Sequence, residues 1–312
     1  MESFQISLNA VLPLFIYMAV GYLAKMRNLL DDRDVGRFNK VVFNVFLALS
    51  VFQAVYSSDL STAVKPKLML YTVLGVLAEF LFGLAVAKVT ATHRNQKGVI
   101  IQGIFRSNFT LIGMSIASVL VPYEDIAPVA ILGAVVIPEF NILAVIALSL
   151  YGGDKVRPKD VLLRIAKNPL ILATAAGVLC LLLKLRFPES VEKAINAMAG
   201  AASPVMLFLL GAFFHFDTLA KFAKQITAVT VFKLLINPAF FLTAGYLLGF
   251  RGMEFAALIS VFASSAAVSS FTMSQQMGGD ADLAGDIVVM TSILSCFTLF
   301  FWCVLFRNLG AF

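Results

Sequence analysis

Arg106, Asn108, Thr110 and Gly113 fall within RSNFTLIGMS (106–115). They sit in the middle of a run from Gly98 to Val121 that is long enough to cross a bilayer as helix. A second polar cluster lies far downstream, in ASSAAVSSFTMSQQMGGD. There Ser264, Ser265, Ser269, Ser270, Thr272 and Ser274 place six hydroxyls within eleven positions. A guanidinium brings fixed positive charge and a fork of donors, an asparagine both donates and accepts, and hydroxyls do either. Together such groups suit a carboxylate. The candidate substrate-binding residues are therefore Arg106, Asn108, Thr110, Gly113, Ser264, Ser265, Ser269 and Ser270.

An arginine at mid-membrane costs about 2.5–3.5 kcal/mol on insertion scales, so Arg106 should face the protein interior and hold a partner. That partner could be a bound carboxylate, Glu79, Glu139 or a backbone carbonyl. The plainer alternatives are an Arg106 that snorkels to an interface or pairs with a structural acid. Each serine alone reads more readily as a small helix-packing residue. The cluster as a whole favours a site, because a helix broken inside the membrane frees backbone groups that survive only inside protein or beside water. Glu139, behind Pro138, is a carboxyl that could take up and release a proton. Glu79, and Lys233 in VFKLLINP, are further candidates for proton or ion coupling. Lys233 could instead reach an interface along its stem.

These residues need a frame. The chain has 312 residues, 60% hydrophobic and only 13% charged, with mean hydropathy +0.91. Its apolar residues come in blocks of about 20, so the fold class is all-α and membrane-embedded. Ten spans are expected: 5–24, 36–57, 67–88, 98–121, 127–150, 169–185, 194–214, 226–249, 253–277 and 286–306. Glu2 is not the basic start of a signal peptide, and the first block is read as a retained helix. Most of the 24 Lys and Arg fall in the odd-numbered loops, which places those loops in the cytoplasm and both termini outside it. The +6 net charge therefore reflects topology and not nucleic-acid binding.

Five spans precede and five follow the charged stretch 151–168. This divides the chain into a first five-helix repeat (1–150), a cytoplasmic linker (151–168) and a second repeat (169–312). An odd number of spans per half inserts the second half upside down, as in many secondary transporters. A shift by half the chain aligns Gly21 with Gly177, Leu23 with Leu179, Leu29 with Leu185, Val35 with Val191 and Phe52 with Phe208. The two polar spans, fourth and ninth, then occupy equivalent places. Crossed and broken, they would make a polar site near the midplane. No metal site is expected: His93 and His215 lie in separate loops, and Cys180, Cys296 and Cys303 lie in apolar blocks. No Walker loop, catalytic triad or HExxH occurs, so an ATP-driven pump or hydrolase is not expected.

LPLFIYMAVGYLAKMRNLLDDRDVGRFNKVVFNVFLALSVF (12–52), with Gly21-Tyr22, Phe38-Asn39-Lys40 and Phe43-Asn44, resembles the opening of the auxin efflux carrier family. RSNFTLIG (106–113) resembles its fourth span, and GAASPVMLFLLGAFF (200–214), with Pro204, its seventh. The resemblance implies two inverted five-helix repeats, with helices 4 and 9 crossing at the site. It also implies a scaffold of helices 1, 2, 6 and 7, a transport domain of helices 3–5 and 8–10, and an elevator-like alternation of access, often in a homodimer. Plant relatives carry auxin; bacterial relatives are commonly described as malate or malonate permeases. The chain departs from the family where Ala48, Ser115 and Ser264-Ser265-Ala266 stand in place of prolines. The break is then left to Gly113 and to hydroxyls that compete for backbone bonds.

The expected function is secondary active transport of a small organic anion, a mono- or dicarboxylate, in the plasma (cytoplasmic) membrane. No cofactor is expected beyond a coupling ion, H⁺ or Na⁺. The expected partners are the anion and membrane lipid. One alternative is a sodium-coupled carrier of a sterol acid or neutral solute. Another is a non-transporting sensor or structural subunit.

Overall fold

The computed structural model describes residues 2–57, 65–109, 120–121, 127–152 and 158–312. Among them the secondary structure is helical, with one isolated antiparallel bridge and no strand. In chain order the helices are α1 (Glu2–Met26), α2 (Asp32–Tyr56), α3 (Pro66–Thr90), α4 (Arg94–Phe105) and α5 (Ala127–Tyr151). There follow α6 (Pro158–Ala166), α7 (Pro169–Leu182), α8 (Glu189–Phe213), α9 (Thr218–Lys221) and α10 (Ala223–Leu247). The last three are α11 (Gly252–Phe262), α12 (Ser269–Gln276) and α13 (Ala281–Asn308).

Local chemistry sets these boundaries. Asp31 caps α2 by accepting the Asp34 N–H at 2.7 Å, and Asp34 returns the bond at 3.1 Å. The Asp34 amide holds the Asp31 carboxyl below the usual carboxylate range. Pro66 and Pro169 open α3 and α7, where a missing N–H costs nothing. Asn168 caps α7 by accepting the Leu170 N–H at 2.9 Å. Among the described residues six helices, α2, α3, α5 from Pro128 onward, α8, α10 and α13, are long and apolar enough to span a membrane. Leu70, Leu74, Leu77 and Leu81 stand exposed along one face of α3, which suits hydrocarbon and not water.

The stretch 151–168 contains a helix, α6, where VLLRIA continues a helical period behind Pro158. The fourth span does not run on from 98 as one helix: α4 starts at Arg94 and stops at Phe105. Thr110 and Gly113 lie outside the described residues. The ninth expected span is two helices, α11 and α12, separated by residues 263–268.

The closest helix contact joins α1 to α8. A Cβ on Gly21 would lie 1.9 Å from the Phe208 carbonyl oxygen, and one on Gly211 would lie 2.0 Å from that of Met18. Glycine here lets two backbones touch, the means by which membrane helices gain packing energy. A Cβ on Gly177 of α7 would likewise lie 3.0 Å from the Phe52 carbonyl oxygen of α2. Two π-turns, Val42–Phe46 in α2 and Phe232–Ile236 in α10, interrupt otherwise regular spans. The indole N–H of Trp302, on α13, donates to the Leu234 carbonyl inside the second of them, at 2.9 Å.

Gly21→Ala should force α1 from α8 and cost about 1–3 kcal/mol, lowering Tm of the detergent-solubilised protein. Gly36→Ala, where nothing lies within 4 Å of the added carbon, should leave Tm equal or slightly higher. Equal Tm values for parent and Gly21→Ala would show that the contact is not tight.

Candidate functional site

Where α4 ends, Arg106 turns to extended backbone (φ −81°, ψ 115°), and Ser107 pairs with Ala266 as an antiparallel bridge. The Asn108 N–H donates to Ser265 O at 2.9 Å, and the Ala267 N–H donates to Arg106 O at 3.2 Å. The two broken segments thus satisfy each other. The Ala266 N–H finds Thr291 Oγ1 of α13 at 3.2 Å, and Ser107 Oγ donates to the Val261 carbonyl in the last turn of α11. Gln102, one turn before the break, donates to Ser270 O (3.0 Å) and Ser274 Oγ (2.6 Å), fixing α12 against α4. Asn39 of α2 reaches the same helix, with Nδ2 2.5 Å from Gln275 Oε1.

Arg106 is 3% exposed. Its Nη2 donates to Asn141 Oδ1 of α5 at 2.6 Å, and its Nη1 lies against the Met273 sulfur. No carboxylate pairs with it among the described residues. The acid partners considered from sequence are elsewhere. Among the described residues Glu139 has no hydrogen-bond partner at either oxygen, and Glu79 is fully buried within electrostatic reach of Lys233.

A cavity of about 60 Å³ opens at the break. Arg106, Ser107, Asn108 and Asn141 line one side with Ser269 at the start of α12, and Ser50 of α2 with Ser203 and Met206 of α8 line the other. The Asn108 amide nitrogen is buried without a partner among the described residues. Among the described residues no Asp or Glu borders the cavity. Its polar wall is rich in donors and carries one fixed positive charge, the chemistry of an anion site.

Of the predicted residues, Arg106, Asn108 and Ser269 line this cavity. Ser264 does not: just past the end of α11, its hydroxyl bonds back to Ser260 O at 2.8 Å. Ser265 is buried and contributes its carbonyl to the bridge, and Ser270 O serves Gln102. Lys233 does not reach an interface. It is fully buried behind the break, donating to Ser107 Oγ at 2.6 Å and Phe105 O at 3.4 Å. The polar break offers its ammonium better partners than lipid edges do. Sequence reasoning missed Asn141, Gln102, Asn237 and Thr291 as site-building residues. The available signal was amide or cation at four-residue spacing, as in Gln102/Arg106 and Lys233/Asn237, which shares a helix face.

A family model described as membrane transport protein matches residues 6–160 and 155–303, nearly the whole chain. The chain belongs to this family, that of the auxin efflux carriers. It is similar along its length to an uncharacterized transporter of Methanothermobacter thermautotrophicus, with 25% identity over 96% of this chain and 98% of the relative. A protein of Rhizobium meliloti, whose name proposes a malonate transporter, is also 25% identical, over 93% of this chain and 92% of its own. An uncharacterized transporter of Methanocaldococcus jannaschii is 22% identical over 95% and 98%. This family member is accordingly a multi-pass membrane transporter and not an enzyme.

Replacing Asn141 by alanine leaves the Arg106 guanidinium short of its acceptor. The transporter should lose about 1–3 kcal/mol of stability, read as a lower Tm. An Asn141→Ala variant as stable as the parent would show that the bond carries no weight.

Proposed function

We propose that this transporter carries a small organic anion, a mono- or dicarboxylate, at the cavity between the two helix breaks. One observation carries the reading: among the described residues, a buried arginine without a carboxylate partner and an unpartnered Asn108 amide share a cavity that no acid borders. A carboxylate would complete both. The cavity, about 60 Å³, is the size of a handful of waters and suits a compact acid over a ring system. The relative whose name proposes malonate agrees with that size class.

The mechanism proposed is elevator-type alternating access, with two inverted five-helix repeats whose fourth and ninth spans cross at the site. Packing supports the repeat. Gly21 abuts the Phe208 carbonyl and Gly177 abuts the Phe52 carbonyl. A shift by half the chain turns the first pair into the second. In this reading α1, α2, α7 and α8 form the scaffold, and α3–α5 with α10–α13 carry the substrate. The membrane is the plasma membrane, with both termini on its outer side.

Malonate and related acids should raise Tm of the purified parent by mass action. Arg106→Gln should abolish the rise, and Asn108→Ala should weaken binding about 10-fold or more, the size of a lost charge-assisted hydrogen bond. If both variants insert correctly and take up radiolabelled malonate into proteoliposomes as fast as the parent, the assignment of the site is wrong.

A further inference from the structure

We infer that Lys233 is a resident cation, standing where a broken-helix transporter would otherwise coordinate a sodium ion, so that this transporter works without sodium. The inference rests on the anion-carrier reading and specifies its coupling.

Broken helices commonly present C-terminal ends and unwound carbonyls to a coupling cation. Here two such ends meet. The carbonyls of Ile104 and Phe105 finish α4, and the Val261 carbonyl lies in the last turn of α11. Each helix end carries partial negative charge. All three carbonyls are served from α10 or through Ser107. Lys233 Nζ lies 3.4 Å from Phe105 O and 2.6 Å from Ser107 Oγ, which in turn donates to Val261 O. Asn237, one turn on, donates to Ile104 O at 3.1 Å. Glu79 of α3 adds a carboxylate within electrostatic reach of the ammonium, and Lys233, Asn237 and Glu79 are all fully buried.

Nζ therefore contacts a carbonyl and a hydroxyl oxygen, with the Glu79 carboxylate farther off but within electrostatic reach, and these oxygens are the ligand types a hard monovalent cation takes. An ammonium is compact and carries three donors, so it can substitute for such an ion. It differs in one respect: it is tethered, cannot be released to either side and so cannot couple transport to a gradient. Lys233 also lies outside the lining of the cavity, so its charge holds the two helix ends together and leaves Arg106 for the anion.

The test uses purified full-length protein in sodium, potassium and choline chloride at matched ionic strength. The parent is expected to show the same Tm in all three. Lys233→Ala is expected to be less stable in choline and to regain about 3–5 °C in sodium, as the freed oxygens bind it. Lys233→Gln, whose amide still donates to Phe105 O, covers an alanine variant that does not fold and is expected to show a smaller rise of the same sign. A sodium-specific rise in the parent, or a folded Lys233 variant indifferent to the salt, overturns the inference. Malonate added to the same samples separates the two readings. A parent that ignores both malonate and sodium would sink the substrate assignment while supporting the cation assignment.

Discussion

Everything in the interior depends on how two interrupted helices dispose of their backbone groups. In hydrocarbon each unpaired N–H or C=O costs several kcal/mol. This chain meets that constraint by laying one interruption against the other: Arg106–Asn108 and Ser265–Ala267 exchange main-chain bonds around the Ser107–Ala266 bridge. Side chains complete the pairing: Thr291 of α13 and Asn237 of α10 from other helices, and Gln102 from α4 itself. The prolines that the family resemblance leads one to expect are not needed for this arrangement. Mutual pairing of extended segments keeps them out of the helical ladder.

The same arrangement sorts charge. Helix beginnings and endings have opposite polarity, and the break between α11 and α12 exposes one of each. The endings of α4 and α11 meet the Lys233 side. The beginning of α12 meets the cavity, with Arg106 and Asn108. Two buried positive charges thus coexist without sharing a partner, because the broken chain itself separates them.

Much of this was legible in composition. Most apolar blocks gave helices near the expected places, and the polar interruptions in the fourth and ninth blocks pointed to the residues that form the bridge. Orientation was not legible. Ser264 and Ser269 are the same residue type five positions apart, yet one bonds back to the end of α11 and the other borders the cavity. That difference comes from where α11 stops, which residue type alone does not dictate. The carboxylates drew attention as partners for Arg106, but an asparagine took that role, because a neutral acceptor satisfies the guanidinium without cancelling its charge. The alignment of Gly21 with Gly177, slight as sequence similarity, gains weight from what the two residues touch.

Trp302 is the chain's single tryptophan, and its indole N–H is held by the Leu234 carbonyl, next in sequence to Lys233. Indole emission responds to the polarity and hydrogen bonding around the ring. The protein therefore carries its own optical reporter at the π-turn. Movement of that turn against α13 can be followed by fluorescence, without a dye and without touching the free cysteines.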